Sequence, residues 1–338
     1  MRILLFTLTL IVWSGELCAQ SHFSAAFWNV ENLFDTTDAP LIQDEEFTPT
    51  GKNLWTEERL LEKLQNLSQV IHDMDHDGSL AILGLAEIEN KAILTRLNED
   101  FIGQGMKIIH KESPDERGID CAMLYKPDLL IAKQVNFIPI FLAGDEKTRD
   151  IIEVEFISNK SSNTKSLYVY VNHWPSRWGG QKETEPLRRA AATTLRTRID
   201  QILSKDSQAD ILIMGDFNDY PNDPSLYEVL RAHEAGPSSY PGDLINTTWS
   251  LDKNPDAGTC MYRDHWTVLD QLIISSGMRD RNSFDWTFDS TQPFMPEYLI
   301  EKEGKYAGWP FRTYRSGSYQ GGYSDHLPVV CNITVSLK

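Results

Sequence analysis

Five apolar runs of this sequence end in, or are flanked by, acids, amides or imidazoles. The residues concerned are Asn29, Glu87, Asn172, His173, Asp216, Asn218, Asp325 and His326. Carboxylates and amides supply the oxygen ligands that Mg2+ and other hard cations prefer, and imidazole can transfer protons because it titrates near neutral pH. At a single run such groups carry little information, because turns also select Asp, Asn and Ser. Their recurrence on five runs indicates chemistry on a metal ion or a phosphate.

The segment "MGDFND" is the most specific of the five. Asp216 and Asn218 point the same way if this segment is extended, so a carboxylate and an amide could orient a water and hold a phosphate oxygen. Gly215 would let the backbone turn sharply after the strand. The structural alternative is an Asx turn before "PNDPS", and the residues alone leave both interpretations open.

Glu87 and His173 each have a functional and a structural interpretation. Glu87 in "GLAEIEN" is a candidate ligand for Mg2+, although a glutamate after a buried strand is more often solvated. His173, if paired with His326, is a candidate acid or phosphate donor. Six basic residues follow His173 and would place positive charge beside it, unless they form the solvated face of a helix: Arg177, Lys182, Arg188, Arg189, Arg196 and Arg198.

Buried strands and covering helices are needed to position these groups. Apolar runs predict strands at 23–30, 80–87, 106–110, 120–125, 151–157, 166–174, 209–219, 267–275 and 327–335. Four apolar residues form one stripe of a helix that follows Thr56: Leu60, Leu64, Leu67 and Ile71. Further helices are predicted near 90–101, 184–204 and 223–232. Because strands and helices mix throughout without a linker, we expect one α/β (α+β) domain over residues 22–338.

The N-terminal residues predict a signal peptide. Arg2 is followed by an apolar run at 3–13, which is too short to span a bilayer, and cleavage is expected after Ala19. Acylation of Cys18 as a lipoprotein is the less favoured alternative, because Leu17 stands where a small residue is expected. No later segment predicts a membrane span, so we expect a secreted or periplasmic protein with a signal peptide over residues 1–19.

Composition and charge exclude several classes of protein. A hydrophobic content of 41% and a charged content of 24% indicate a globular chain rather than a coiled coil or a disordered one. The net charge of −17 argues against tight non-specific binding to nucleic-acid backbones, although a divalent cation can supply local positive charge for a phosphate substrate. Once Cys18 is removed, three cysteines remain, which allows at most one disulfide: Cys121, Cys260 and Cys331.

Several common site motifs are absent or incomplete. The sequence contains neither the G-x-S-x-G elbow of α/β-hydrolases nor a G-x-x-x-x-G-K-[ST] phosphate loop. The segment "HDMDHDGS" resembles the start of a calcium loop, but Gly84 occupies the position of its final glutamate. A polar turn is therefore favoured there.

Eight segments follow one another in the order found in the endonuclease/exonuclease/phosphatase family. They are "FWNVENLFD", "LAEIEN", "RGIDCAMLY", "TRDIIEVEF", "VNHWPSR", "MGDFND", "VLDQLIIS" and "GGYSDHLPV". The chain thus resembles this family, which includes pancreatic-type deoxyribonuclease, abasic-site endonucleases, inositol polyphosphate phosphatases and bacterial sphingomyelinases. The resemblance implies a four-layered α-β-β-α sandwich, in which two mixed β-sheets pack face to face between helices. It also implies metal-dependent cleavage of a phosphoester.

The resemblance further implies a metal site and a base. Glu87 is expected to be the principal ligand of Mg2+, or of Mn2+ or Ca2+, assisted by Asn29 and Asp325. The number of metal ions, one or two, stays open. Asp216 would activate the attacking water, and Asn218 would hold a phosphate oxygen.

The resemblance also implies roles for the imidazoles and their partners. His173 and His326 would bind the phosphate and stabilise or protonate the leaving side. Asp270 would pair with His326 and fix its tautomer, and Asp120 would do the same for His173. The remaining expected phosphate contacts are Arg149 and Asn172.

Three functions follow as expectations. The first is an exported, monomeric, endonuclease-type phosphodiesterase that hydrolyses nucleic acid through a metal-activated water. The alternative is a phosphomonoesterase, or a phosphodiesterase acting on sphingomyelin-type or inositol-type lipids, although "WGG" at 178–180 and the aromatic segment at 306–314 are not clear apolar hairpins. A non-catalytic binding protein would be expected to have lost Glu87, Asp216 or a histidine, and all are present.

Overall fold

Two seven-stranded β-sheets form the centre of the protein in a computed structural model, which describes residues 19–103, 105–144, 146–160, 165–236 and 242–337. The predicted signal peptide lies outside these ranges except for Ala19, and Cys18 lies outside them as well. Among the described residues, no helix has both the length and the apolar character needed to cross a bilayer.

The strands and helices are numbered in chain order. The strands are β1 (Ala19–Leu33), β2 (Leu80–Ile88), β3 (Lys107–His110), β4 (Asp120–Tyr125), β5 (Leu130–Ile138), β6 (Ile151–Ser158), β7 (Leu167–His173), β8 (Asp210–Asp216), β9 (Ala232–Glu234), β10 (Leu244–Asn246), β11 (Cys260–Tyr262), β12 (His265–Thr267), β13 (Asp270–Ile274), β14 (Phe284–Trp286), β15 (Gln292–Pro293), β16 (Tyr314–Arg315), β17 (Ser318–Tyr319) and β18 (Val329–Leu337). The α-helices are α1 (Glu57–Met74), α2 (Lys91–Arg96), α3 (Gln181–Leu203) and α4 (Trp249–Asp252).

Each sheet combines parallel and antiparallel strands. The first has the order β14-β18-β1-β2-β4-β3, with β15 also paired to β18, and the second has the order β5-β6-β7-β8-β13-β10-β9. Strands β1 and β2 are parallel, as are β7 and β8, whereas β18 runs antiparallel to β1 and β13 runs antiparallel to β8. The parallel pairs bring the carboxyl ends of consecutive strands to the same edge of each sheet.

Alternate residues of β1 face two different cores. Ala25 and Phe27 lie in the core between the two sheets, while Ala26 and Trp28 pack under helix α1. The helix contributes its predicted apolar stripe to this second core: Leu60, Leu64, Leu67 and Ile71. Both faces of the strand are buried, which explains its nearly continuous apolar sequence.

The second sheet repeats this arrangement on the other side. Leu212 and Met214 of β8 face the first sheet, whereas Ile211 and Ile213 pack with residues of helix α3 such as Leu195. The layers are therefore helix, sheet, sheet and helix. The predicted α-β-β-α sandwich of two mixed sheets is confirmed.

Several local predictions differ from the structure. The helix predicted near 90–101 is α2 followed by a π-helical turn at Leu97–Ile102, and the one predicted near 223–232 is a π-helical turn at Ser225–Leu230. Strand β5 was not predicted, because it lies at the edge of its sheet and many of its residues are only partly buried. The three cysteines of the described residues are free and buried.

Candidate active site

The polar residues that follow the predicted strands meet at one edge of the sandwich. His173 and Asp216 are register partners on parallel strands β7 and β8, and Asp216 is also the partner of Asp270 on antiparallel β13. In the first sheet Asn29 of β1 pairs with the residue preceding Glu87. Strand pairing therefore places His173, Asp216 and Asp270 together at one edge of the second sheet, and Asn29 and Glu87 together at one edge of the first.

Glu87 occupies a β-bulge. The register between β2 and β4 shifts between Ala86 and Ile88, and Glu87 has a φ of 65°. A non-glycine residue in this left-handed region costs about 1–3 kcal/mol, and such strain is concentrated at functional sites. The bulge is fixed by the Glu87 carboxylate, whose Oε2 accepts a 2.8 Å hydrogen bond from the amide of Asn32.

The side chain of Asn29 joins the two sheets. Its Nδ2 donates to Oε1 of Glu87 at 3.2 Å and to Oδ2 of Asp216 at 3.1 Å, while its Oδ1 accepts from the amide of Glu31. One amide group therefore holds two carboxylates close to each other. Carboxylates at such close range favour a bound cation.

Asp216 is buried and is held by backbone as well as side-chain donors. Its Oδ1 accepts a 3.0 Å hydrogen bond from the amide of Asn218, which has a φ of 52°. Burial and the nearby charge of Asp270 raise the pKa of Asp216 to about 6, although His326, the Asn218 amide and Asn29 act in the opposite direction. The carboxylate is therefore ionised at neutral pH with a pKa that suits a general base.

His326 forms a short hydrogen bond with Asp270. Its Nδ1 lies 2.7 Å from Oδ2 of Asp270, and its Nε2 lies 4.0 Å from Oδ2 of Asp216. Burial disfavours the charged imidazolium, but the Asp270 carboxylate outweighs it, and the pKa of His326 lies well above its ordinary value. The structure brings these two residues together, as the family resemblance implied, and it leaves Nε2 facing the centre of the site.

His173 faces the same centre but is not held by Asp120. Its Nε2 lies 3.7 Å from Asp216 and 4.0 Å from Glu87, and its Nδ1 has no hydrogen-bond partner among the described residues. Burial and the cation of Arg149 lower the pKa of His173 well below its usual value. The imidazole is therefore neutral, and its single proton is favoured on Nε2, which faces the carboxylates.

The predicted pairing of Asp120 with His173 requires correction. One oxygen of Asp120 accepts from the amide of Ser113 at 2.9 Å, and the other lies 3.3 Å from Nε2 of His110. The side chain is therefore directed to the loop that precedes β4. The sequence did not reveal this, because His110 looked like an ordinary residue at a strand end.

The predicted phosphate contacts of Arg149 and Asn172 also require correction, because both side chains are buried behind the site. The Arg149 guanidinium donates to the carbonyls of His173 and Trp174 at 3.2 and 2.6 Å and pairs with Asp115 at 2.9 Å. Asn172 is fully buried and bonds to the carbonyl of Met214 and the indole of Trp174. Both residues fix the backbone that carries His173.

Arg312 is a site residue that the sequence analysis missed. Its Nη2 donates to Oδ2 of Asp325 at 2.7 Å, its Nε donates to Glu31 at 3.2 Å, and 31% of its side chain is exposed. Burial opposes ionisation of Asp325, but Arg312, followed by His326 and Lys63, lowers its pKa below the ordinary value. The only signal in the sequence was a single arginine inside the aromatic segment "GWPFRTY".

A buried lysine supports this side of the site. Nζ of Lys63 donates to Oγ1 of Thr313 at 2.6 Å and to the carbonyl of Tyr323 at 2.5 Å. Burial lowers the pKa of Lys63 to about 8, while Glu31 and Asp325 act in the opposite direction. Lys63 interrupts the buried apolar stripe of α1, and this placement was the signal that could have identified it.

Two glycines allow close backbone approach at the site. A Cβ atom at Gly215 would collide with the carbonyl oxygen of Asn172, so Gly215 permits the approach of β7 to β8 rather than the predicted sharp turn. A Cβ atom at Gly322 would collide with the carbonyls of Phe311 and Arg312. The segment that leads to Asp325 can therefore pass directly beside Arg312.

Cys260 lies beside the imidazole of His326. The thiol, the Asp270 carboxylate and the His326 ring offer atoms within 4.8 Å of one another, and Sγ lies 2.9 Å from Oγ1 of Thr267. Burial raises the pKa of Cys260 to about 12. The protonated thiol is therefore not a nucleophile at neutral pH.

The arrangement of two packed sheets with carboxylates, amides and imidazoles at one edge is that of a phosphoester-cleaving enzyme. A sequence model described as "Endonuclease/Exonuclease/phosphatase family" matches residues 24–335. The chain therefore belongs to this family, whose members hydrolyse phosphoesters and generally use divalent metal ions. The resemblance found in the sequence is thereby confirmed.

Solved structures agree with the fold. A Bacteroides thetaiotaomicron protein of the same family is 14% identical over 95% of this chain and 100% of its own, with a TM-score of 0.58. D. rerio TDP2, complexed with single-strand DNA product, is 14% identical over 93% and 99% (TM-score 0.55). A mannosyl-6-phosphatase from B. thetaiotaomicron is 12% identical over 92% and 99% (TM-score 0.56). No curated protein sequence matches the chain.

Proposed function

We propose that this protein hydrolyses a phosphoester bond of a compact substrate with the help of a divalent cation. One observation carries the proposal: Asn29 bridges Glu87 and Asp216, and Nε2 atoms of two histidines lie 3.7 and 4.0 Å from Asp216. A carboxylate base between two imidazoles can exchange protons with a water and a leaving oxygen on either side of a phosphate.

The donor atoms of the site fit a hard cation. Glu87 and Asp325 offer carboxylate oxygens. Asn29 directs its Nδ2 to the carboxylates of Glu87 and Asp216 and its Oδ1 to the amide of Glu31, so it would have to rotate its amide to become an oxygen ligand. This set suits Mg2+, or Mn2+ or Ca2+, better than a soft metal. When bound, the cation supplies charge neutralisation for the phosphate oxygens.

The protein's own residues divide the proton transfers. Asp216 accepts the proton of the attacking water, because its carboxylate is ionised above a pKa of about 6. His326 remains protonated at neutral pH and donates from Nε2 to the leaving oxygen. Neutral His173 donates its Nε2 proton in a hydrogen bond to a phosphate oxygen. Nδ2 of Asn218 donates to the carbonyl of Trp174 and has a second N–H for the phosphate.

Arg312 takes the phosphate contact that the sequence suggested for Arg149. Its guanidinium is partly exposed and donates a hydrogen bond to Asp325. The N–H groups that Asp325 does not use can donate to a phosphate oxygen. Arg149 has three protein acceptors and is buried, so it is not free to make that contact.

The basic residues after His173 do not form a track for a long polyanion. Five arginines of this group are engaged in ion pairs: Arg177–Asp219, Arg177–Asp223, Arg188–Asp219, Arg189–Glu185, Arg189–Glu228, Arg196–Asp200 and Arg198–Glu153. Non-specific binding of nucleic acid depends on unpaired Lys and Arg that displace counterions. The pairing of these arginines and the net charge of −17 both favour a small phosphate ester over a long polyanion as the substrate.

Nucleic acid, the first expectation from the sequence, remains the second candidate on account of Trp178. Its side chain is 91% exposed, and it follows Arg177, whose Nε donates to the carbonyl of Asn218 at 2.6 Å. An exposed indole next to a phosphate site can stack on a base. The two neighbours above show that the fold accommodates both a sugar phosphatase and an enzyme bound to single-strand DNA.

Substrate comparison tests the proposal directly. The purified protein is assayed with Mg2+, Mn2+, Ca2+ or EDTA against sugar phosphates, p-nitrophenyl phosphate, bis-p-nitrophenyl phosphate, single-stranded DNA, plasmid, RNA and sphingomyelin. We expect metal-dependent turnover of the small esters that Asp216→Asn abolishes. The matched control is Asp210→Asn, which changes a buried aspartate at the opposite end of the same strand.

The outcomes separate the candidates. Rapid cleavage of DNA or RNA that Trp178→Ala reduces, with little release from small esters, would replace the compact substrate by nucleic acid. Turnover unaffected by EDTA would contradict the proposed dependence on a divalent cation. Full activity of Asp216→Asn would contradict the proposed role of Asp216 as the base.

Export is part of the same proposal. It is supported by Arg2 and by the apolar run at residues 3–13. Expression of the full chain in a bacterial host should yield a processed protein outside the cytoplasm, and an unprocessed cytoplasmic product would contradict export.

A further inference from the structure

A second cluster of metal-ligating side chains lies outside the proposed active site. His110 ends β3, Asp120 begins β4, and Glu112 lies in the loop between these strands. Each offers one ligand atom, and the three atoms lie within 4.8 Å of one another. None of the steps assigned to the active site uses His110 or Glu112.

Two of these side chains carry buried polar atoms that form no hydrogen bond with the described residues. The side chains of His110 and Asp120 are only 1% and 2% exposed, and Nε2 of His110 lies 3.3 Å from Oδ2 of Asp120. Neither atom forms a hydrogen bond within the described residues. A buried polar atom without a hydrogen bond costs free energy. A cation coordinated by both atoms would remove this cost.

Glu112 approaches the pair from the solvent side. Its Oε1 lies 3.9 Å from Nδ1 of His110, and 63% of its side chain is exposed. Burial, followed by the neighbouring carboxylate of Asp120, raises the pKa of Glu112. Two acidic groups at this range repel each other, and a shared cation removes that repulsion. The exposed glutamate also provides an entry path for an ion.

We propose that His110, Glu112 and Asp120 bind a first-row transition ion such as Zn2+ or Mn2+. One imidazole nitrogen and two carboxylate oxygens are the mixed donor set that these ions accept, whereas Mg2+ and Ca2+ prefer oxygen alone. The cluster thus differs in chemistry from the all-oxygen set around Glu87. The binding site stands on its own residues and is independent of the proposed reaction.

The ion would fasten the loop that supports His173. The amide of Ser113 bonds to Asp120, and Asp115 in the same loop pairs with Arg149. Arg149 in turn holds the carbonyl of His173. Binding at the cluster would therefore stabilise the loop and the Arg149 contacts behind His173. We expect it to change mainly the melting temperature and the amount of bound metal.

Metal titration of matched variants tests the site. The full protein is stripped with EDTA, returned to metal-free buffer and titrated with Zn2+ by calorimetry and with Co2+ by visible absorption. His110→Gln and Glu112→Gln should weaken one class of sites by more than about 10–100-fold, the range found for residues that only support a ligand. The controls are Glu116→Gln, an exposed glutamate of the same loop, and His76→Ala, an exposed histidine of a turn.

The melting temperature gives a second readout. Zn2+ should raise the melting temperature of the wild type and of both controls, and should raise that of Glu112→Gln less. Because the side chain of Glu112 is exposed, this substitution should not disturb folding, so a smaller increase would reflect weaker Zn2+ binding. Glu87→Gln should keep this site, which separates it from the proposed catalytic cation. Equal Zn2+ affinity in Glu112→Gln, His110→Gln and the wild type, or the absence of binding by the wild type, would overturn the inference.

Discussion

Replacing Asp270 by asparagine removes the charge partner of His326 while keeping its size. Oδ2 of Asp270 lies 2.7 Å from Nδ1 of His326, and the aspartate is fully buried. Burial alone lowers the pKa of His326, and the Asp270 carboxylate is the main influence that raises it. In Asp270→Asn the pKa of the imidazole therefore falls, and the protonated form that serves the leaving oxygen becomes scarce above neutral pH.

The size of this effect follows from the pKa of a histidine without its carboxylate. With the pKa at or below the ordinary value of about 6.5, no more than about 3% of His326 is protonated at pH 8. The wild-type residue keeps its proton to a higher pH, because its pKa lies well above the ordinary value. We expect kcat/KM at pH 8 to fall at least about 30-fold, which corresponds to about 2 kcal/mol of activation free energy.

The assay is a pH profile of kcat/KM from pH 5 to 10 at saturating Mg2+, with the best small ester found in the substrate comparison. The wild type should lose activity on the acid side as Asp216 is protonated near its pKa of about 6, and on the alkaline side as the pH rises through the raised pKa of His326. In Asp270→Asn this alkaline limb should move below pH 7. Asp210→Asn removes a buried carboxylate far from the imidazole and should leave the limb in place. An unchanged limb in Asp270→Asn would refute the assignment of His326 as the acid.

Three further perturbations have defined outcomes. Glu87→Gln should reduce the rate more than about 100-fold and raise the Mg2+ concentration needed for half-maximal activity; an unchanged Mg2+ dependence would remove Glu87 from the metal site. Arg149→Met leaves the buried carboxylate of Asp115 and two carbonyls without their partner and should cost about 3–5 kcal/mol in urea unfolding with little change in KM; a raised KM at unaltered stability would restore the predicted phosphate contact. Burial raises the pKa of Asp210 to about 7, so wild-type stability from this group is present below pH 4 and is lost as the pH rises to 7. The melting temperature of Asp210→Asn minus that of the wild type should therefore increase from pH 4 to pH 7, because only the wild type loses this stability. A difference that stays constant would contradict the raised pKa of Asp210.

The sequence located the groups that come directly after buried strands. Glu87 and Asp216 could be found because an apolar run that ends in a polar residue predicts where that residue lies along the strand, and His326 because it directly precedes such a run. The partner of His326 followed from the family resemblance, and the 2.7 Å contact with Asp270 agrees with it. The four layers likewise followed from the family resemblance, whereas the apolar patterns alone predicted the strands and helices of one α/β domain.

The sequence could not show the direction in which a charged side chain points. The family resemblance implied a phosphate contact for Arg149, yet its acceptors are the carbonyls of His173 and Trp174 and the carboxylate of Asp115. Lys63 and Arg312 join the site through contacts more than 240 residues apart along the chain, as in the hydrogen bonds to Thr313 and Glu31. No local pattern encodes such contacts, since they depend on the complete tertiary structure.

The pairing of β1 with β18 has a consequence for the order of folding. Ala19 is the partner of Leu337, and β18 begins just after Asp325 and His326. Strand β1 lies in the middle of its sheet, so one of its edges stays unpaired until β18, the final strand described, has been synthesised. Such long-range pairing slows folding and exposes strand edges in intermediates. The enzyme is therefore expected to remain inactive throughout its synthesis, because the segment that closes the sheet also carries His326, the imidazole that we propose as the acid.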